Sequence, residues 1–90
     1  MREISLDKRA QTYVLSLPPK HARQVSLKLL SLSIEPNSTD SKQLKNSAFF
    51  RADVGEHRII YLYSKDILYV PLIGKRNDND VYRRLERLEG

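Results

Sequence analysis

The sequence contains no cysteine and no long apolar run. Without cysteine the chain can form neither a disulfide framework nor a thiolate metal site, and a catalytic cysteine is excluded. No segment approaches the roughly 20 apolar residues that a membrane helix needs, and the N-terminus lacks the apolar stretch of a secretory signal. We therefore expect a cytoplasmic protein with no membrane partner.

What the sequence does have is an excess of positive charge. Sixteen Lys and Arg residues stand against eleven Asp and Glu residues, which gives a formal net charge of +5. This balance favours contact with nucleic acid or with an acidic protein. Because single domains commonly contain roughly 50 to 200 residues and no linker is evident, we expect one domain over residues 1–90.

The first half of the chain predicts a short strand and a helical hairpin. Residues 2–6 alternate as in a strand, and Asp7 is a suitable N-cap for the helix that follows and ends before Pro18. A second helix is predicted to begin at the prolines and to run toward Ser33. The first helix has apolar residues at i, i+3, i+4 and i+7, namely Ala10, Tyr13, Val14 and Leu17.

The second half predicts three strands, at residues 49–54, 56–63 and 67–73, which form an antiparallel meander. The polar segment before them, from residue 36 through Lys45, is predicted as a loop. Pro71 cannot donate to a ladder, so its strand is expected to be an edge there or to carry a bulge.

A C-terminal helix completes the predicted fold. Asp78 or Asp80 can cap it, and apolar residues at i, i+4 and i+7 (Val81, Leu85 and Leu88) are expected to face the sheet. The fold class is α+β: an N-terminal strand and helical hairpin packed on an antiparallel β-sheet, with a short C-terminal helix.

Three arginines and a tyrosine stand out because a hydrophobic core does not need them. Strand alternation places Arg51 and Asp53 on one face, and Arg58 on one face of the next strand. If these faces coincide, the two arginines are cross-strand neighbours that repel each other unless an anion lies between them. The alternative is that each arginine is solvated or pairs with a nearby carboxylate such as Asp53.

Each of the remaining polar candidates also has a purely structural interpretation. Arg76 precedes a polar run where side chains are presented to solvent, and Tyr82 is either a core-edge residue or a platform for a base. His57 is expected to point to the face opposite Arg58, and His21 is expected on the surface. Two distant histidines do not make a metal site, so no metal or cofactor is expected.

The segment from Gly55 to Tyr61, Gly-x-x-Arg-Ile-Ile-Tyr, is followed by Gly74-Lys75-Arg76 and by Tyr82 six residues after that arginine. In order and spacing these motifs resemble the RelE/ParE superfamily of bacterial type II toxins. The whole chain follows the RelE-like layout. RelE-type members are ribosome-dependent endoribonucleases, called mRNA interferases, that cleave mRNA in the ribosomal A site.

The resemblance also implies roles for individual residues. The catalytic pattern matches at Arg51 in place of a lysine, at Arg58, at Arg76 and at Tyr82, while the family's second lysine aligns with Asp53. RNA or ribosome contacts are expected from Lys42, Lys45 and Lys75.

The implied reaction is attack by a ribose 2′-OH on the adjacent phosphate. Arg58 would hold the phosphate, Arg76 would stabilise the leaving oxygen and Tyr82 would orient the base. An arginine is a poor general base, which leaves that role to His57, the 2′-OH environment or the ribosome.

The resemblance implies two partners, a cognate antitoxin protein and the ribosome with its mRNA. Two other functions stay open. One is a ParE-like inhibitor of DNA gyrase, which shares the fold and cuts no RNA. The other is a basic binding module whose arginines only position phosphates.

Overall fold

A computed structural model of the chain describes residues 1–77 and 80–89, except for the side chains of residues 80, 88 and 89. The fold class is α+β, as predicted. The elements follow the order β1 (Glu3–Leu6), α1 (Lys8–Leu15), α2 (Pro19–Ile34), β2 (Ser41–Gln43), β3 (Phe50–Val54), β4 (His57–Tyr63), β5 (Ile67–Lys75) and α3 (Asp80–Glu89).

The five strands form one sheet in the order β1-β5-β4-β3-β2. The predicted meander of β3, β4 and β5 is confirmed, and β1 joins its far edge in parallel with β5. The loop predicted through Lys45 is wrong in part, because Ser41–Gln43 pairs with β3 as an additional edge strand. The polar composition of this segment did not predict a strand. The strand forms because the segment pairs with β3, and not because its residues have a high β-propensity.

Pro71 lies at a bulge, as one of the two expectations had it, but β5 is an interior strand. The β4–β5 register shifts between Ile60 and Leu62, so that Val70 and Pro71 lie opposite Tyr61. Pairing of β1 with β5 ends at Val70, so the missing N–H of Pro71 costs neither ladder a regular hydrogen bond.

Both helices of the hairpin begin where the sequence predicts. Asp7 caps α1 by accepting a hydrogen bond from the Arg9 backbone N–H at 3.1 Å. Pro19 occupies the first turn of α2, where its missing N–H costs nothing. Helix α1 ends at Leu15, earlier than predicted, although Leu17 still packs against the core.

Helices cover both faces of the sheet, α1 and α2 on one face and α3 on the other, and each face has its own cluster of buried residues. On the α1–α2 face, ten residues form the larger cluster: Ala10, Val25, Leu29, Leu32, Ala52, Ile59, Tyr61, Leu68, Val70 and Ile73. On the α3 face, the smaller cluster consists of Ile60, Leu72, Val81 and Leu85. Two of the predicted α3 stripe residues are therefore confirmed in place, whereas Asp78 and the side chains of Asp80 and Leu88 lie outside the described residues.

Gly74 allows α3 to approach the sheet closely. A Cβ atom on Gly74 would lie 3.1 Å from Val81 Cβ and 3.2 Å from the guanidinium of Arg84. The glycine is therefore required by packing. Among the described helices, none is long and apolar enough to cross a membrane.

Candidate phosphate-binding site

Strand pairing brings Arg51, Asp53 and Arg58 together on the α3 face. Asp53 lies directly opposite Arg58 in the β3–β4 ladder, and Arg51 lies opposite Ile60, a member of the α3-face cluster. Directly opposed residues of an antiparallel pair share a face, so the two arginine faces, whose coincidence the sequence left open, do coincide in this register. The ladder fixes this arrangement because a slip of one residue would move the polar groups to the other side.

An anion does lie between the two arginines, and it belongs to the chain itself. Asp53 Oδ1 accepts from Arg58 Nε at 2.7 Å, and its Oδ2 accepts from Arg58 Nη2 at 3.1 Å. The same Oδ2 accepts from Arg51 Nη1 at 3.3 Å. The expected repulsion is thus offset by an internal carboxylate, which is the alternative that sequence reasoning also left open.

The electrostatics of the site follow from this carboxylate. Its hydrogen bonds from Arg58, together with the charges of Arg58, Arg51 and Arg76, hold the pKa of Asp53 below its usual value in spite of partial burial. In return, the hydrogen bond to Asp53 raises the pKa of Arg58. Both groups are therefore ionised at neutral pH.

Tyr82 reaches the same place from α3. Its hydroxyl accepts a hydrogen bond from Arg58 Nη1, and the Arg58 Cζ lies 5.6 Å from the centre of its ring. The ring packs against the α3-face cluster and also forms one wall of an open cleft of about 260 Å³. The cleft is lined by Leu44, Lys45, Ser47, Tyr82, Leu85 and Glu86. Tyr82 therefore lies at the edge of a core, as one of the two expectations had it, and its ring also borders an open cleft.

Arg76 lies just beyond the end of β5, where its backbone N–H donates to Glu56 O at 2.8 Å. Its side chain is exposed, and its charge helps to lower the pKa of Asp53. Within residues 1–77 and the described part of α3, no ion pair holds this guanidinium. Arg76 therefore adds an exposed positive charge to the site.

The three predicted lysines are divided between the two faces. Lys42 lies opposite Arg51 in the β2–β3 ladder, and Lys45 lines the cleft beside Tyr82. Lys75 lies opposite His57, which places it with the α1–α2 face. Two of the three lysines thus adjoin the candidate site, and Lys75 does not.

His57 points away from Arg58, as predicted, and is nearly fully buried under the helical hairpin. Its Nδ1 lies 2.8 Å from the Tyr13 hydroxyl, and its Nε2 lies 2.9 Å from His21 Nδ1. Burial, followed by the nearby His21, lowers the pKa of His57. The expectation that His21 is a surface residue is wrong: its ring is partly buried and links α2 to β4 through His57.

Sequence reasoning missed this Tyr13–His57–His21 chain, which no local motif marks. The three residues come from α1, α2 and β4, and only the folded chain brings them together. His57 is also excluded as the base for a reaction at Arg58, because it is buried on the other side of the sheet. Among the described residues, no group of three or more His, Asp or Glu side chains could hold a metal ion.

No protein-family model and no curated protein matches the sequence. Solved structures do match it closely in shape. A free Escherichia coli RelE toxin with two arginine-to-alanine substitutions has a TM-score of 0.79 at 18% identity, with 97% of each chain covered. The chain has the RelE fold.

The RelE fold is also matched in complexes. The RelBE2 toxin–antitoxin complex of Mycobacterium tuberculosis gives a TM-score of 0.74 at 21% identity, covering 83% of this chain and 98% of that one. The RelE–RelB complex of the archaeon Pyrococcus horikoshii gives 0.71 at 21% identity, covering 84% and 96%. The resemblance seen in the motifs is therefore confirmed at the level of the RelE fold.

Proposed function

We propose that this protein is the toxin of a toxin–antitoxin pair and a ribosome-dependent endoribonuclease that cleaves mRNA in the A site. The observation that carries the proposal is the contact of Arg58 with Tyr82 on the α3 face. It joins a guanidinium suited to a phosphate and an aromatic ring suited to a base. The protein would act in the cytoplasm as a single domain.

The reaction requires in-line geometry and stabilisation of charge more than a protein nucleophile. The ribose 2′-OH attacks the adjacent phosphorus, the bond from phosphorus to the 5′ oxygen breaks, and a 2′,3′-cyclic phosphate and a 5′-OH end result. Arg58 and Arg51 stabilise the negative charge that develops on the phosphate oxygens. Arg76, whose guanidinium is exposed, stabilises the leaving oxygen, and Tyr82 orients the base.

The general base must come from outside the group of residues at the site. A guanidinium group such as that of Arg51 is a poor general base. Asp53 is a weak base because its pKa is lowered, and His57 is buried on the other face. A water molecule or a ribosomal group would then take the 2′-OH proton. The lack of a general base at the site supports the expectation that cleavage depends on the ribosome. In this proposal Lys42 and Lys45 contact RNA beside Tyr82, and Lys75 contacts RNA from the other face.

An antitoxin partner is supported by the outer surface of α2. Leu27, Leu30 and Ile34 lie at i, i+3 and i+7 and are exposed, so they offer an apolar stripe on a chain with net charge +5. An acidic segment that folds on this stripe would gain both apolar burial and charge pairing. Two of the matched RelE folds were solved as complexes with antitoxins.

One observation favours a second candidate, a gyrase inhibitor with the same fold and no nuclease activity. Asp53 pairs with the arginine that a nuclease of this type would use for phosphate. An inhibitor that binds gyrase has no need of a free guanidinium at this position. Inhibition of supercoiling by purified gyrase, with mRNA left intact, would favour this candidate.

Primer extension on a defined mRNA in a reconstituted translation system tests the proposal. We expect new 5′ ends at A-site codons that require ribosomes. Replacing one preorganised donor typically lowers a rate by about 100-fold to 1,000-fold, so Arg58→Ala should abolish visible cleavage. Arg76→Ala should reduce it less, because its guanidinium is exposed.

Arg23→Ala is the matched control, since Arg23 is an exposed arginine on α2 and its loss changes the net charge equally. This variant should cleave as the unaltered protein does. Intact message in every lane, or equal cleavage by Arg58→Ala and Arg23→Ala, would contradict the proposal.

A further inference from the structure

The carboxylate of Asp53 accepts from the N–H groups that a bound phosphate would use. It takes two of the five N–H donors of Arg58 and one donor of Arg51. A third donor of Arg58 goes to the Tyr82 hydroxyl. The edge of Arg58 formed by Nε and Nη2, which suits a bidentate oxyanion, is therefore occupied.

This contact is a stronger one than an ordinary surface ion pair. The Arg58 and Asp53 side chains are 14% and 24% exposed, and the pairing is bidentate with a direct cross-strand partner. Exposed pairs commonly contribute little, but partial burial weakens solvent screening and favours the paired state. A ligand must therefore compete with the pair and does not meet a free guanidinium.

The site still attracts anions while the pair is intact. Arg51, Arg58 and Arg76 supply three positive charges near the single negative charge of Asp53. An RNA phosphodiester also carries one negative charge, so the exchange puts one anion in place of another between the two guanidinium groups, and the phosphate adds one negative charge to a site that carries a net positive charge. Such an exchange is feasible because Asp53 is about a quarter exposed and can turn toward solvent.

We infer that Asp53 is an internal competitor for phosphate: its carboxylate fills the oxyanion position between Arg51 and Arg58, and an RNA phosphate binds there by displacing it. This inference rests on the proposed function in taking RNA phosphate as the ligand. The consequence is that the free protein binds RNA weakly at this site. A substrate held in place by the ribosome, with its high local concentration, overcomes the competition.

The test compares binding of a fluorescent single-stranded RNA with 2′-O-methyl groups, which cannot be cleaved, by anisotropy at low salt. Asp53→Asn keeps the shape of the side chain and removes its charge. Removal of one competing charge should tighten binding by about tenfold, and the double variant Asp53→Asn/Arg58→Ala should lose this gain.

Asp66→Asn is the matched control, because Asp66 is exposed in the β4–β5 turn and its change alters the net charge equally. It should change affinity less than about twofold, as expected for a distant screened charge. An Asp53→Asn protein that binds no more tightly than Asp66→Asn, or more weakly, would overturn the inference and indicate that Asp53 only holds Arg58 in place. Since this RNA cannot be cut, an inactive nuclease would leave the result unchanged.

A second measurement uses the unaltered chain, so it stands even if Asp53→Asn does not fold. During titration with the same RNA, NMR follows the Nε–H signal of Arg58 and the side-chain carboxyl carbon of Asp53. Displacement requires both signals to shift with one midpoint. An Asp53 carboxyl signal that stays constant at RNA saturation would overturn the inference.

Discussion

His57 and Arg58 are adjacent in β4, yet they lie on opposite faces of the sheet in opposite electrostatic settings. His57 is buried under the helical hairpin, where burial and the nearby His21 lower its pKa. Arg58 meets Asp53 on the α3 face, and its pKa is raised. One strand can therefore supply buried residues to one face of the sheet and a charged site to the other, because its side chains alternate.

The two faces also differ in how much of the core they hold. The α1–α2 face has ten buried residues in its cluster, and the α3 face has four. The smaller cluster supports Tyr82 and the strand positions next to Arg58. We therefore expect the first face to govern unfolding and the second to govern the site.

Ile59 and Ile60 offer the sharpest test of this division, because both are fully buried neighbours on opposite faces. Ile59→Ala should lower the free energy of unfolding by about 4 kcal/mol, and Ile60→Ala by about 2 kcal/mol, since the smaller cluster can collapse around the cavity. Ile60→Ala should nevertheless reduce cleavage more. Urea unfolding and primer extension measure the two effects, and the reverse order in both would refute the division.

Gly74→Ala should disturb the α3 face selectively. The added methyl group meets Val81 Cβ at 3.1 Å, so α3 must shift and carry Tyr82 away from Arg58. We expect a loss of about 1 to 2 kcal/mol in stability from overpacking, with a clear fall in cleavage.

Gly55→Ala is the control for this change. Gly55 has a φ of +57° in the β3–β4 turn, so its replacement is strained as well, but an added Cβ there would meet Gln24 of α2 rather than α3. A similar loss of stability with cleavage retained is expected. Equal loss of cleavage in both variants would show that the effect of Gly74→Ala is not specific to α3.

The smallest expected effect is on the pH dependence of stability, and it belongs to the α1–α2 face. The pKa of His57 is lowered in the fold from an ordinary 6.5, so the unfolded chain binds the proton more readily. Stability should therefore fall as the pH drops below 6.5. Thermal unfolding at about pH 7 and about pH 5 measures the slope, which His57→Gln should flatten. The carboxyl groups with lowered pKa (Asp7, Asp40 and Asp53) lose their contribution only in more acidic solution, below 3.8.

Local signals predicted much of the fold. The N-cap Asp7, the first-turn Pro19 and the alternation that separates His57 from Arg58 are each encoded within a few residues. Motif spacing similarly selected Arg58 and Tyr82, which the structure brings into contact.

What could not be predicted depends on register and on contacts between distant elements. Strand β2 exists because β3 offers it an edge, and His21 is partly buried because α2 crosses His57. Asp53 could be read from the sequence as a replaced lysine, but its place between Arg51 and Arg58 required the β3–β4 register. Such features carry no periodic signal in the sequence.

A message with a single 2′-deoxyribose at the expected cut, placed in the A site of programmed ribosomes, tests whether the protein cleaves mRNA through the 2′-OH. We expect cleavage of the all-ribose message at that linkage and none of the deoxy-substituted message, because the 2′-OH is the nucleophile. Cleavage of both messages would contradict the chemistry, and cleavage of neither would contradict the nuclease itself.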